Sequence, residues 1–308
     1  MASPLTDRQF VRLLDDRLDE VFYTNHGADL DENIQTLYNV KSSNKAWEEL
    51  FGIGDIPDFT ELVGGITYSS MYPGFHTKVE HKEFTNGIQV VRKLLDDERY
   101  DVIEGRVGRL GEAARRTKEK YGCRTFAYAF SNTFDFATSE ENVSLCNDSH
   151  LTKTSGLSTS VGFDNYVTTA FSPVAVEAAR ILGNKIRSDI GERIDMNLDT
   201  LIVPDELAQD AWELISSAGK VDTDNNNANW FKGKYRLLIY KRLSDYDTNN
   251  WFMVDYNKMK QQLYWYNRIP TEFKNTTDFD TFIRKYAGYF RISYAHKDWR
   301  WVVGAEVT

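Results

Sequence analysis

The stretch RKLLDDERYDVIEGRVGRLGEAARRTKEKYG constrains this chain most, because its pattern predicts a single helix of about 25 residues beginning near Asp96. Such a helix serves as a spine. Gly105, Gly108 and Gly111 stand three apart inside it, and an interior glycine costs on the order of 1 kcal/mol relative to alanine. Three of them predict a bend, or a face that another backbone approaches closely. From Arg106 to Lys120 there are six basic and two acidic residues, a run that reads first as a solvated face and second as a polyanion site.

Composition sets the class. A chain of 308 residues, 41% hydrophobic and 14% aromatic with only 6 prolines, is globular and buries about three quarters of its unfolded surface, as one large domain or two modest ones. A net charge of -9 argues against a dedicated nucleic-acid binder. Cys123 and Cys146 are too few for a disulfide framework and point to a reducing compartment. The N-terminal stretch has no apolar h-region and no later stretch is long enough to span a bilayer, so a soluble protein, neither exported nor anchored, is expected.

Residues 7–23 predict an amphipathic helix capped by Thr6, with Phe10, Val11, Leu14, Leu18, Val21 and Phe22 as its stripe and Gly27 just past its end. Residues 1–60 hold 12 acidic and 5 basic side chains, and read as an acidic arm with a sticky stripe rather than as core. From Glu61 to about Gln89 an extended hairpin is expected, with its turn at Met71-Tyr72-Pro73-Gly74-Phe75. Its second limb, His76 to Glu83, has few apolar residues, so it should project outward or lie on another surface.

A polar meander with short strands follows from about Ser131 to Asp164. Ser172-Pro173 opens a helix with Ala175, Ala178, Ala179, Leu182 and Ile186 on one side. Leu201-Ile202-Val203 reads as a buried strand leading into a helix that aligns Leu207, Ala208, Ala211, Trp212 and Ile215 and closes near Gly219. YRLLIYKRLSDYDTNNWFMVDY reads as two strands around a polar turn, and QLYWYNRIPTEFK and FDTFIRKYAGYFRISY supply more strand. In YFRISYAHKDWRWVVG, Phe290, Ile292 and Tyr294 share one parity, and Trp299, Trp301 and Val303 share another, as in a half-buried hairpin. Arg291, Lys297 and Arg300 among these aromatics would suit a single-strand binder. The acidic total and the position of the segment favour scaffold, with Arg291 and Arg300 facing water or a neighbour. The whole is an α+β assembly, in one piece or as two interlocked lobes.

Reactive chemistry has no local support. His26, His76, His81, His150 and His296 are scattered, and Cys123, Cys146 and His150 lack the paired spacing of zinc ligands. Buried thiols and a surface histidine are expected there. Asp222, Asp224 and Asn226 imitate a calcium loop, but Asn227 occupies the glycine position and Gly233 the terminal glutamate position. Neither G-x-x-x-x-G-K-[ST] nor G-x-S-x-G occurs. No catalytic, cofactor-binding or metal residue is assigned, and no cofactor.

The order of features, an N-terminal arm, an extended hairpin, a spine helix, a strand-helix lobe and late strands, resembles the major capsid proteins of tailed bacteriophages, with the fold first seen in a Hong Kong coliphage. It is most like the Mu-like major head subunit family. EFTNGIQVVRKLLDDERYDVI is similar to that family's passage from hairpin to spine, DTLIVPDELAQDAWELI to its axial strand-helix, and PTEFKNTTDFDTFIRKYAGYFRISYAHKDWRWVVG to its C-terminal return. The resemblance implies an N-terminal arm at 1–60, an extended loop at 61–93, a peripheral domain with the spine helix at 94–165, an axial domain at 166–261, and C-terminal strands at 262–308 completing the peripheral domain.

It also implies a non-enzymatic subunit forming hexamers and pentamers of an icosahedral shell around double-stranded DNA, assembled in the host cytoplasm and located in the virion. A separate scaffolding protein, a portal and a decoration protein are the implied partners, with DNA contacted weakly on the inner face and no membrane. Lys78 and Lys82 lie where some members cross-link subunits, but no partner pair is located and cross-linking is not predicted. The expected assembly contacts are Phe10, Leu14, Leu18, Tyr68, Met71, Tyr72, Phe75 and Phe84, with Ile88 and Val90 at the hairpin's base. Lys78, Glu80, Lys82 and Glu83 would set register. Two rival readings are an encapsulin-like nanocompartment shell and a carbohydrate-active hydrolase with unidentified carboxylates.

Overall fold

A computed structural model describes residues 7–27, 32–66, 68–69, 71–97, 99–219 and 228–307. In chain order the elements are α1 (Asp7–His26), α2 (Glu32–Leu37), β1 (Asn39–Ser42), β2 (Trp47–Ile53), β3 (Pro73–Glu80), β4 (Lys82–Val90), α3 (Arg92–Asp96) and α4 (Tyr100–Ala127). There follow β5 (Ala137–Ser139), β6 (Tyr166–Val167), α5 (Pro173–Gly183), β7 (Thr200–Val203), α6 (Ala208–Ser216), β8 (Arg236–Ile239), β9 (Trp251–Val254), α7 (Tyr256–Gln262), β10 (Leu263–Thr277), β11 (Arg284–His296) and β12 (Val302–Ala305). They build three sheets, ordered β1-β10-β11-β4, β6-β12-β9-β7-β8 and β2-β3-β5. Thr6 and the calcium-like residues Asp222, Asp224, Asn226 and Asn227 lie outside the described residues.

The predicted spine is α4, 28 residues long. Its glycines permit a close helix crossing: a Cβ on Gly111 would sit 2.5 Å from the Phe22 carbonyl oxygen of α1, too close for any side chain. Gly105 has open space instead, so the close approach belongs to one part of the run. The crossing changes the reading of the N-terminal helix. Leu18 and Phe22 are fully buried, in a small core with Ile103, Val107 and Leu110 of α4 and Phe273 and Tyr286 of the β10-β11 ribbon. Each buried side chain contributes roughly 2 kcal/mol, and the Asp15 carboxylate pairs with Arg284 beside them. Leu14, Leu18 and Phe22 of the stripe are therefore part of this chain's own core, because a gap opened by glycines on the spine receives them; the side chains of Phe10 and Val11 lie outside the described residues.

The main core runs from the inner face of the four-stranded sheet through α4 to the five-stranded sheet. Phe290, Ile292 and Tyr294 of β11 pack inward as their parity predicts, with Lys118 of the spine over the Phe290 ring. Lys118 is buried, which removes it from the basic face. The Tyr294 hydroxyl donates to Asp135, which also takes a 3.0 Å ion pair from Arg124.

The chain after His296 does not form a hairpin with β11. It turns at residues 297–301 and enters the other sheet, where β12 lies between β6 and β9. All four residues of β12 are buried, as a central strand covered on both faces requires. Arg300 is held inside this turn, donating to the Arg187 carbonyl at 2.8 Å and to Asp298 at 3.0 Å. It does not face water.

Two helices show where periodicity succeeds and fails. The Ser172 hydroxyl accepts from the Ala175 amide at 3.1 Å, capping α5 as the Ser-Pro pair predicts; Ala178 nevertheless faces out. In α6, Ala211 and Leu214 are buried while Trp212 is 61% exposed. The buried face is centred between Ala211 and Leu214, with Leu207 and Ile215 packed beside it, and at 100° per residue Trp212 falls outside that face. Among the described residues no helix is long and apolar enough to cross a membrane.

Candidate assembly surfaces

The projecting element is built from β2 and β3, which pair antiparallel from Trp47 opposite Glu80 to Phe51 opposite His76. This differs from a turn at residues 71–75. β3 is the middle strand of its sheet, with β5 on its other side, while β4 joins β11 in the four-stranded sheet. The low apolar content of the His76–Glu83 stretch misleads because Thr77, Val79 and His81 share the buried face; the charges alternate with them. His81 is anchored by a 2.8 Å contact between Nδ1 and the Ser293 hydroxyl.

The two limbs cross at Gly52 and Gly74, where a Cβ on Gly74 would lie 2.7 Å from the Gly52 Cα. Above the crossing the Gly54 amide donates to the Tyr72 carbonyl at 3.0 Å, and the Asp55 amide donates to Asp189 Oδ1 at 3.0 Å. Beyond this clasp every residue from 55 to 66 is exposed. Ile56, Phe59, Leu62, Val63, Ile66 and Tyr68 stand in water, Val63 at 84% and Tyr68 at 88%. Large apolar side chains exposed together in this way are found at protein contacts, membrane contacts and ligand grooves.

The residues expected from sequence divide into groups. Tyr68, Met71 and Tyr72 are exposed and gathered in this loop. Phe75 is half-buried with the Lys153 ammonium 5.3 Å from its ring centroid. Leu18 is core, Leu14 packs partly against it, and the side chain of Phe10 lies outside the described residues. Phe84 stacks on Phe290 at 5.2 Å and meets Tyr121 edge-on at 4.8 Å, so it joins β4 to the spine. Val90 is buried and Ile88 packs beside it in the smaller core.

The mixed charges are satisfied within the chain. Lys78 pairs with Glu80 at 2.6 Å and lies 5.1 Å from the Trp47 ring centroid. Lys82 sits 5.3 Å from the ring centroid of Phe136, and Glu83 approaches Arg291 at 4.0 Å. Exposed pairs like these contribute little. Sequence reasoning missed Ile56 and Phe59 by assigning them to the arm, and passed over Leu62 and Val63 inside the expected loop. The available signal is an apolar run punctuated by Gly54, Pro57 and Gly64-Gly65, without a lysine or arginine between Lys45 and Lys78.

A cavity of about 280 Å³ lies at the loop's root, lined by residues of β3, the 139–153 meander, the 188–189 turn and the 296–300 turn. Its carboxylates are engaged: Glu141 with His150 at 3.0 Å, Asp298 with Arg300, and Asp189 with the Asp55 amide. His150 is buried, not on the surface, stacked on Trp299 with ring centroids 4.0 Å apart. Desolvation lowers the pKa of His296 to about 4, leaving it neutral at ordinary pH. These groups fasten the loop rather than forming a free acid and base pair. Among the described residues no group of three or more His, Cys, Asp or Glu side chains could hold a metal ion. Cys123 and Cys146 are buried free thiols, and burial pushes both pKa values up.

The sequence profile of the phage capsid protein family matches residues 77–305. No protein of curated function matches the chain. Among solved structures, the fold is similar to that of Mycobacterium phage Patience, with a TM-score of 0.57 and 9% identity over 96% of this chain and 88% of the other. It is likewise similar to the mature capsid of bacteriophage PhiM1, with a TM-score of 0.56 and 10% identity over 92% and 89% of the two chains. A virus-like particle from Pyrococcus furiosus gives a TM-score of 0.51 and 10% identity over 94% and 98%. A matched region running from β3 to the last strand, together with three sheets arranged around one spine helix, places the chain in the phage capsid protein family.

Proposed function

We propose that this chain is the major head subunit of a tailed phage, forming hexamers and pentamers of an icosahedral shell around double-stranded DNA. The observation that carries this reading is the loop whose described residues 55–66, 68–69 and 71–72 are all exposed, clasped at its root by Gly52, Gly74 and Asp189. A folded subunit with such an element on a rigid base is suited to heterologous contacts around rotation axes. The loop enlarges each contact toward the roughly 1,200 Å² of a stable interface. The subunit is structural rather than catalytic. A separate scaffolding protein, a portal and a decoration protein would complete the head in the host cytoplasm, with DNA contacted weakly.

We place the extended loop at 47–80, the peripheral domain on the spine and the four-stranded sheet, and the axial domain on the five-stranded sheet, which also takes the last strand. Val174, Trp212 and Trp230 are exposed on that lobe and would face its neighbours. Electron microscopy of the purified protein tests the shell: icosahedral particles are expected, and a monomer that never assembles with head proteins present would overturn it. The likeness to the Pyrococcus furiosus particle supports a second reading, a nanocompartment shell. Particles filled with a protein cargo rather than DNA would select it.

A further inference from the structure

We infer that Asn86 and Gly87 form a site of self-modification, at which the backbone closes to a succinimide and reopens as isoaspartate or aspartate. The inference stands on the geometry of β4 and is independent of the shell reading. Asn86-Gly87 is the one asparagine-glycine pair in the sequence. It lies in β4, the edge strand of the four-stranded sheet, opposite Gly288 and Ala287 of β11, and both residues are exposed. The Gly87 amide donates to Asn86 Oδ1 at 2.9 Å. That contact holds the nitrogen beside the carboxamide carbon it would attack, close to the roughly 3 to 3.5 Å of a near-attack geometry. Glycine leaves the approach unshielded because it has no Cβ. The sheet also requires a glycine there: a Cβ on Gly87 would lie 2.9 Å from the Tyr286 carbonyl oxygen.

Asn86 has the parity of Phe84 and Ile88, and those two neighbours belong to different cores. Phe84 packs on the main core beside Phe290 and Tyr121, whereas Ile88 packs on the smaller one. Between them Asn86 borders a hollow of about 150 Å³, with Ala113, Ala114 and Thr117 of the spine on its far side. The Asn86 side chain makes no other hydrogen bond among the described residues, so no partner there holds the carboxamide away from the Gly87 amide. The hollow has room for the ring and for water.

The step needs only base and water. Base removes the Gly87 amide proton, the nitrogen bonds to Asn86 Cγ, and the Cγ–Nδ2 bond breaks with loss of ammonia. Water then opens the ring. Attack at the γ-carbonyl gives aspartate, and attack at the α-carbonyl gives isoaspartate, whose backbone runs through the former side chain and is one carbon longer. No electrons are transferred to or from another group. Either product sets a carboxylate at the seam between the two cores. The longer backbone also shifts the residues after Asn86 against β11, which pulls Ile88 and Val90 from their places in the smaller core.

The test is mass spectrometry of the full chain, aged while folded in mildly acidic and in mildly alkaline buffer and then digested with trypsin. The peptide from Glu83 to Arg92 should gain the mass of an amide-to-acid change and divide into two peaks, several-fold faster in the alkaline buffer. Ageing in water labelled with heavy oxygen should carry the label into that peptide, and an isoaspartyl methyltransferase should methylate one of its two forms. Conversion should exceed that of Asn275, which is exposed on β10 and followed by threonine, at least tenfold. Asn86→Gln should stay unconverted and keep its melting temperature on ageing, whereas the unmodified chain should lose several degrees as isoaspartate accumulates. An unchanged peptide from the folded chain, beside conversion of the chain in urea, would mean that the strand protects the pair and would overturn the proposal. Aspartate as the sole product would overturn the succinimide route. A converted chain with an unchanged melting temperature would overturn the consequence drawn for the two cores.

Discussion

Residues 289–304 and residues 54–72 are both rich in large apolar side chains, and the fold treats them in opposite ways. In the first, Phe290, Ile292, Tyr294, Trp299, Trp301 and Val303 are all buried, between two sheets and beneath the spine. In the second, Ile56, Phe59, Leu62, Val63 and Tyr68 are all exposed. Hydrophobicity alone therefore says that a residue must be covered, and the neighbours decide by what. In the C-terminal segment the cover is this chain. For the loop, the proposed cover is another subunit of the shell.

The comparison breaks most sharply at Ile292, which has no accessible surface. Ile292→Asp buries an unpaired carboxylate, a cost of 4 kcal/mol or more on the order of magnitude seen for such changes. No soluble folded protein is expected, as judged by near-ultraviolet circular dichroism. Replacing residues 56–68 by a short glycine-serine linker should do the reverse, with particles lost while the unfolding midpoint moves by less than about 0.5 kcal/mol. If shells still form, the loop is not the assembly element.

Acid provides a smaller effect, confined to the buried segment. His296 titrates near 4 in the folded chain and near 6.5 unfolded, so the unfolded state takes up the proton first as pH falls. The stability associated with neutral His296 is complete above about pH 6.5 and is lost between there and pH 4, a few kcal/mol at most. Denaturant titrations across that range should show the slope, and His296→Gln should reduce it.

The two C-terminal arginines refine the comparison. Arg300→Ala removes a guanidinium that holds the 187 and 298 turns together and should cost about 1 to 2 kcal/mol of stability. Arg291 makes only a 3.3 Å contact with the His81 carbonyl and a 4.0 Å approach to Glu83. Arg291→Ala should cost less than about 1 kcal/mol and at most weaken assembly. Equal losses at the two positions would remove the distinction between an interior and a rim arginine.

Much of the fold was legible because local rules were enough. The spine helix, the Ser172 cap, the buried strand at residues 200–203 and the inward parity of β11 follow from periodicity and capping, which act over a few residues. The glycine run on the spine also announced a close backbone, although not which one. The pairing of β3 with β2 from Trp47 onward was not legible, because β3 looks too polar for a central strand until Thr77, Val79 and His81 are seen on one face. The spacing of Trp212 predicts an inward side chain because it neighbours Ala211, but the buried face is centred toward Leu214.

The sequence by itself determined that the chain is an α+β protein with a long spine, an acidic balance and no motif of reactive chemistry. These follow from composition and from spacing along the chain. Only the tertiary structure decided that Leu14, Leu18 and Phe22 of the N-terminal stripe belong to the chain's own core, that β2 is a partner of β3, and that the last strand crosses to the second sheet. The physical reason is the same in each case: a strand or stripe specifies which face is apolar, but not which distant surface will cover it. Covering is settled by close approaches such as Gly111 against the Phe22 carbonyl and Gly52 against Gly74, which exist only once the chain has folded.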